Sequence, residues 1–230
     1  MKPWLSQEYD QLFQQIHQHH YRVLTLAGAS PQCGTSTQAF WLAQRLSQDQ
    51  SKTLLIDLDL AGSGQGYPSA QWQCDGTEQS NAKIVINEHL DILPKPPQQT
   101  ILALRQPQSL NQAFELWREQ YQYIICDVGS INTANWRNLA VASLGYASDA
   151  SILCLAAGKT TESDLLASVQ RLEQSNINLI GTLINDRANP TLASEIQRVM
   201  NQKARWLPQF LKRKINQYLV TNPLLQGKYQ

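Results

Sequence analysis

Residues 28–37 read GASPQCGTST, between the β-branched and apolar run RVLTLA and the segment QAFWLAQRL. A strand-like run leads into a Gly/Pro loop, and the loop opens a helical pattern. This is the setting in which backbone N–H groups cradle phosphates. Gly34 permits close backbone approach, and Ser36 and Thr37 begin the helix, where free N–H groups and the helix dipole favour an anion. Ser36 stands where a hydroxyl reaches Mg²⁺. Thr35 stands where such loops carry a lysine. Two further apolar runs end in carboxylates: LLIDLDL supplies Asp57 and Asp59, and YIICDVG supplies Asp127. Carboxylates at the ends of buried strands, beside such a loop, are suited to holding a metal and its waters and to orienting an attacking group. Each alone also fits a strand-end turn or a helix cap.

The elements that must position these residues alternate along the chain. Runs suited to buried parallel strands occur at 22–27, 53–58, 90–93, 123–128, 150–156 and 178–184. Between them lie helical faces: Ala39, Leu42, Ala43 and Leu46; Leu110, Ala113, Phe114 and Trp117; Leu165, Leu166, Val169 and Leu172. Alternation of this kind implies an α/β, doubly wound, mostly parallel sheet with helices on both faces. Ligands then sit beyond the carboxyl ends of the strands, where residues 28–37 lie. One domain over 1–230 fits the length, with an N-terminal helix in 1–20 and a basic amphipathic tail at 204–230. The polar segment 61–82 reads as a long mobile loop.

Composition narrows the classes. The longest apolar run, ILCLAA, is far short of the roughly 20 residues that span a bilayer. The N-terminus has no apolar h-region, so no signal peptide is expected. The four cysteines show no C-x-x-C spacing and suit a reducing cytosol. Cys33, at the loop, reads as a space-filling residue or a redox-sensitive thiol. His17, His19 and His20 lack a Cys or Asp partner and read as a polar helix end. Net charge is +1, but after Glu195 there are seven basic residues and no acidic one, leaving 12 basic and 18 acidic in the rest. A basic tail on an acidic body suits an anionic membrane surface, or an acidic protein face, and gives no reason to expect nucleic acid. Pro208 can open a helix there; Leu207, Leu211, Ile215 and Leu219 recur every four residues, with Trp206, Phe210 and Tyr218 beside them, a stripe expected to pack on the domain body or, alternatively, to lie on an anionic bilayer.

These motifs, in order and spacing, resemble the cytoplasmic kinase domain of the bacterial tyrosine kinases (BY-kinases), within the wider MinD/ParA group of P-loop ATPases. GASPQCGTST resembles the family loop G-x-S-P-x-x-G-K-[ST]-[ST]. TLLIDLDL resembles its D-x-D motif, and YQYIICDVGS its Walker B strand. INLIGTLINDR resembles the strand whose Asn, here Asn185, faces the base. The resemblance implies a nucleotide site at Gly34, Thr35, Ser36, Thr37 and Asn185, and a metal site at Ser36, Asp57 and Asp127.

Departures matter as much. The lysine is Thr35, the arginine after D-x-D is Ala61, and the ring-forming E-x-x-R-x-x-R of the N-terminal helix reads Glu8, Gln11, Gln14. The C-terminal tyrosine cluster is reduced to Tyr218 and Tyr229. No cation in the loop replaces the lysine; Lys159, after a neighbouring strand, is the nearest substitute by topology. A charged hydrogen bond to the phosphates contributes roughly 1.5–3 kcal/mol, so its loss weakens ATP by about 10–100-fold. Loss of a donor aimed at transition-state charge costs a further ~10²–10³ in rate. The expectation is therefore a degenerate, pseudo-kinase-like member with weak or absent ATP/ADP and Mg²⁺ binding, and Asp57, Asp59 and Asp127 left vestigial or metal-orienting. With the ring-forming arginines replaced by Gln11 and Gln14, a monomer or weak dimer is expected, cytoplasmic or peripheral to the inner membrane. By resemblance it would regulate exopolysaccharide or capsule assembly through a membrane polysaccharide co-polymerase. The alternative is a MinD/ParA-type nucleotide-switched ATPase that localises a membrane-associated machine.

Overall fold

The computed structural model describes residues 2–106, 109–133, 141–144, 147–187, 192–203 and 208–222. In chain order its elements are α1 (Gln7–Gln18), β1 (Val23–Gly28), α2 (Thr35–Ser47), β2 (Thr53–Asp57), α3 (Gln79–Ala82), β3 (Ile84–Asn87), β4 (Leu90–Leu93), α4 (Ile101–Leu104), α5 (Asn111–Gln120), β5 (Tyr123–Ser130), β6 (Ala150–Ala156), α6 (Glu162–Gln174), β7 (Leu179–Asn185), α7 (Leu192–Lys203) and α8 (Gln209–Thr221). Where the sequence reads as a single domain, the contacts divide it into two compact units, Met1–Asn185 and Asp186–Gln230.

The first unit is built on a seven-stranded sheet in the order β3-β4-β2-β5-β1-β6-β7. Every pairing is parallel except β3 with β4. The six strands expected from apolar runs are present. β3 was not expected: its residues alternate half-buried and exposed at the sheet edge, and it forms no continuous apolar run. Alternate side chains of the central strands enter two cores. Leu24, Leu26, Leu55 and Ile125 pack under Tyr9, Leu12 and Ile16 of α1 and Ala39, Leu42, Ala43 and Leu46 of α2. Val23, Leu54, Ile56 and Ile124 pack under Phe114 and Trp117 of α5 and Leu172 of α6. Burying each large aliphatic side chain contributes roughly 1.5–3 kcal/mol. The sheet is thus covered on both faces, as the alternation of elements requires.

The N-terminal helix is fastened to α2. Tyr9 donates a hydrogen bond to Gln38 and sits edge-on to Trp41. Arg45 donates to Asp10 at 2.7 Å and lies 4.2 Å over the Phe13 ring. Glu8, Gln11 and Gln14 face solvent. The histidines that follow act as a polar end, His17 stacking on Phe13 and His19 on Tyr21.

The segment 61–82, expected as a long loop, is laid onto the α5 core. Trp72 has no solvent exposure, donates to the Pro94 carbonyl at 2.7 Å and meets Trp117 edge-on. Trp117 in turn donates to Gln79 at 2.7 Å. One indole in an otherwise polar stretch supplies enough apolar area to hold it, because its N–H also finds a partner.

In the second unit, α7 and α8 pack together. Pro208 is the N-cap residue of α8, so the helix begins where expected. Of the expected stripe, Leu219 is buried, Ile215 half-buried and Leu211 exposed. Trp206, Leu207 and Tyr229 lie outside the described residues. No described helix is long and apolar enough to cross a membrane.

Candidate functional site

β1 lies between β5 and β6, so the chain leaving Gly28 emerges at the carboxyl end of the sheet with Asp127 on one side and Cys154 on the other. Residues 29–34 turn there, and Gly34, at φ 90°, is the N-cap of α2. No side chain caps that helix. Its first-turn N–H groups therefore border a cavity of about 450 Å³, lined by Ser30–Thr37, Asp59, Ala61–Gly64 and Gly129 among others. Gly34 is required twice over. Its φ suits few side chains, and a Cβ would lie 2.3 Å from Asn185 Nδ2.

Thr35 does not replace the lysine chemically. It is nearly buried, and its hydroxyl turns back to Cys33 Sγ at 3.1 Å, in the hollow left by Gly28. Among the described residues lining the cavity there is no lysine or arginine. Lys159 is exposed in the turn after β6 and does not line it. Asn185, which the resemblance places facing a base, donates to the Cys33 carbonyl at 3.0 Å and so is held against the loop. Cys33 itself is buried.

The carboxylates do converge. Asp57 and Asp127 are cross-strand neighbours on β2 and β5, and both are fully buried. Burial pushes the Asp57 carboxyl up to about 7, with the charge of Asp127 adding to it and Lys95 opposing it. Burial likewise pushes Asp127 up to about 6, against hydrogen bonds from Ser36 and Gln65. Asp57 accepts from the N–H of Asp59 at 3.2 Å and of Gln65 at 2.7 Å. Asp127 accepts from Gly129 N–H at 3.3 Å and from Gln65 Nε2 at 2.8 Å. Asp59 sits at the cavity wall and accepts from Gly62 and Gly64. Ser36 donates to Asp127, and Thr37 lines the cavity at the first turn of α2.

Three further residues contribute. Gln65 reaches back into the carboxylate pair. Lys95 donates to the Gly62 carbonyl at 2.9 Å and fixes the loop after β2. Thr160 joins Ser30 at 2.8 Å and accepts from Ala156 N–H, tying the loop to β6. The only sequence signal for Gln65 is one polar residue between two glycines after the D-x-D.

By residue type, Ser36, Asp57 and Asp127 suit a hard divalent cation. By arrangement, both carboxylates are already satisfied by N–H and O–H donors. An anion reaching the α2 N-terminus meets a favourable helix end and, among the described residues lining the cavity, the carboxylate of Asp59 with no lysine or arginine to offset it.

No protein-family profile matches the chain. Two curated kinases do. The tyrosine-protein kinase CpsD of Streptococcus pneumoniae is 26% identical over 180 residues, 71% of this chain and 75% of that protein. The tyrosine-protein kinase Etk of Escherichia coli is 25% identical over 178 residues, again 71% of this chain but 23% of Etk, so the chain spans less than a quarter of that relative. Among solved structures, the kinase domain of Etk superposes with a TM-score of 0.64 at 22% identity, covering 79% of this chain and 74% of that one. A cobyrinic acid a,c-diamide synthase from Mycobacterium smegmatis with bound ADP and magnesium gives 0.55 at 17% identity, over 80% and 82% of the two chains. The homologues of this chain are bacterial tyrosine kinases, and its fold is the one those kinase domains share with MinD/ParA-like P-loop ATPases.

Proposed function

We propose that this protein is a BY-kinase-like regulator that carries out no tyrosine phosphorylation. The observation that carries the reading is the cavity at the α2 N-terminus, which has the backbone of a phosphate site and no cationic side chain among its described lining residues. Phosphoryl transfer depends on positioning and on neutralising charge, and the second is missing here. Residual nucleotide binding rests on backbone N–H groups at Gly34–Thr37 and on Ser36, and is weak. The exposed Gln11 and Gln14 of α1 cannot form the bidentate carboxylate contacts an arginine makes, so the protein is a monomer or weak dimer.

The relatives are kinases, and the partner proposed by resemblance is the cytoplasmic end of a membrane polysaccharide co-polymerase in capsule or exopolysaccharide assembly. A peripheral location fits α8, which exposes Phe210, Arg213, Lys214 and Tyr218, an aromatic and basic surface suited to an anionic bilayer. The retained Asp57, Asp59 and Asp127 favour a second reading, a nucleotide-switched ATPase of the MinD/ParA kind.

Incubation of purified protein with ATP–Mg²⁺, followed by phosphotyrosine detection and light scattering, separates these. The regulator reading expects no phosphotyrosine, no ATP-dependent dimer and at most a small melting shift. Phosphate on Tyr218 or Tyr229 overturns it, and ATP-dependent dimerisation supports the switched ATPase instead.

A further inference from the structure

Two buried carboxylates side by side need compensation. In a metal-dependent site it comes from a divalent cation. In this chain it comes from the loop that follows β2. Gln65 donates three times, with its backbone N–H to Asp57 Oδ2 at 2.7 Å and with its side-chain Nε2 first to Asp127 Oδ2 at 2.8 Å. The same Nε2 donates to the Ser36 carbonyl at 3.0 Å. Both neighbours of that amide group are acceptors, so its nitrogen and not its oxygen must face them. Ser36 hydroxyl, Gly129 N–H and Asp59 N–H complete the donor set around the pair.

The loop is shaped to bring Gln65 there. Asp59 holds the N–H groups of Gly62 and Gly64 at 3.0 and 3.1 Å, and Lys95 holds the Gly62 carbonyl from outside. Gly64 passes so close to Asp57 that a Cβ would lie 2.2 Å from its carboxylate oxygens. A magnesium ion requires near-octahedral oxygen ligands at about 2.0–2.1 Å. To reach Asp127 and Ser36 together it must evict the Gln65 amide.

We propose that Gln65 is a tethered cap that stands in for a divalent cation over Asp57, Asp127 and Ser36, so that the intact protein does not take a divalent ion at this position. This deepens the non-catalytic reading, because the metal contribution is lost through a residue separate from Thr35.

The test is Mn²⁺ binding to the full chain without nucleotide, by titration calorimetry and electron paramagnetic resonance. Gln65→Ala removes the side-chain amide and keeps the backbone N–H to Asp57. Gln65→Glu keeps the size and replaces the donor by an acceptor. Removing one charge-assisted hydrogen bond that the ion must break is expected to tighten Mn²⁺ by about 10–100-fold over the parent. Adding Asp127→Asn to Gln65→Ala is expected to remove that gain. The cap is overturned if the parent binds one Mn²⁺ as tightly as both variants, if neither variant exceeds the parent, or if the gain survives Asp127→Asn. None of these outcomes bears on phosphotyrosine formation, so the cap and the non-catalytic reading fail separately.

Discussion

Thr35→Lys restores the one cation that the loop lacks, and its effect follows from the geometry. Thr35 Oγ1 lies 3.1 Å from Cys33 Sγ, a weak contact worth about 1 kcal/mol or less when lost. The lysine β-carbon takes the threonine's place, and its longer chain leaves through the cavity, which is about 450 Å³ and bordered by Thr35. The substitution is therefore expected to cost little stability. Against that, an ammonium at the β/γ-phosphates contributes roughly 1.5–3 kcal/mol, or about 10–100-fold in ATP affinity. A melting-temperature titration with ATP reads this directly, because a ligand at 100 times its Kd stabilises by about 2.7 kcal/mol. The apparent Kd is expected to fall by at least tenfold relative to the parent. An unchanged Kd in a variant that melts normally refutes the reasoning, since it places the defect somewhere other than the missing charge. Tyrosine phosphorylation is not expected to return, because Ala61, Gln11 and Gln14 are unchanged.

Trp72→Ala removes a fully buried indole and its bond to Pro94, and is expected to cost about 3–5 kcal/mol, a fall of about 10 °C in Tm by calorimetry. Gly34→Ala is expected to lose about 1–3 kcal/mol from backbone strain alone, with a further loss from collision with Asn185; adding Asn185→Ala is expected to recover the second part and not the first, as urea midpoints would show. Stability is expected to depend on pH through Asp57 and Asp127. Their folded carboxyls, near 7 and near 6, hold protons that the unfolded chain releases near its ordinary value of 3.8. Unfolding thus releases protons between about pH 4 and pH 7, so stability falls as pH rises through that window and levels off above it. A urea midpoint that rises from pH 5 to pH 7 contradicts this.

The sheet was legible because parallel strands buried on both faces must be continuous apolar runs, and six such runs are present. β3 escaped because Ile84–Asn87 alternates at an edge, where one face is solvated. The fold of segment 61–82 was hidden by its polarity: Trp72 is one residue among many polar ones, and only the Pro94 carbonyl and the Trp117 ring make it an anchor. The carboxylates of the site could be read from strand ends, since Asp57 and Asp127 fall in register on neighbouring strands. Asn185 was placed on the right strand, β7, and its bond to the loop carbonyl of Cys33 has no sequence signal of its own. Gln65 had no motif to betray it. Its role depends on a chain reversal that returns it to Asp57, eight residues earlier in the sequence.

The losses around the cavity share one physical direction. By the family resemblance, a triphosphate bound at this helix N-terminus would be neutralised by a loop lysine, an arginine after the D-x-D and a divalent cation. Here those places hold Thr35, Ala61 and the amide of Gln65, each uncharged. Asp57, Asp59 and Asp127 are kept, and their compensation comes from hydrogen-bond donors within the chain. A site drifting at random would be expected to leave buried carboxylates exposed to repulsion, at a cost of several kcal/mol for each uncompensated charge. The donors around Asp57 and Asp127 offset part of that cost without any ligand, and the raised carboxyls carry the rest. Such an arrangement stabilises one shape of the loops after β1 and β2 in the absence of nucleotide. A protein used for its contacts requires a fixed surface, and a surface that does not wait on ATP or metal fits that use.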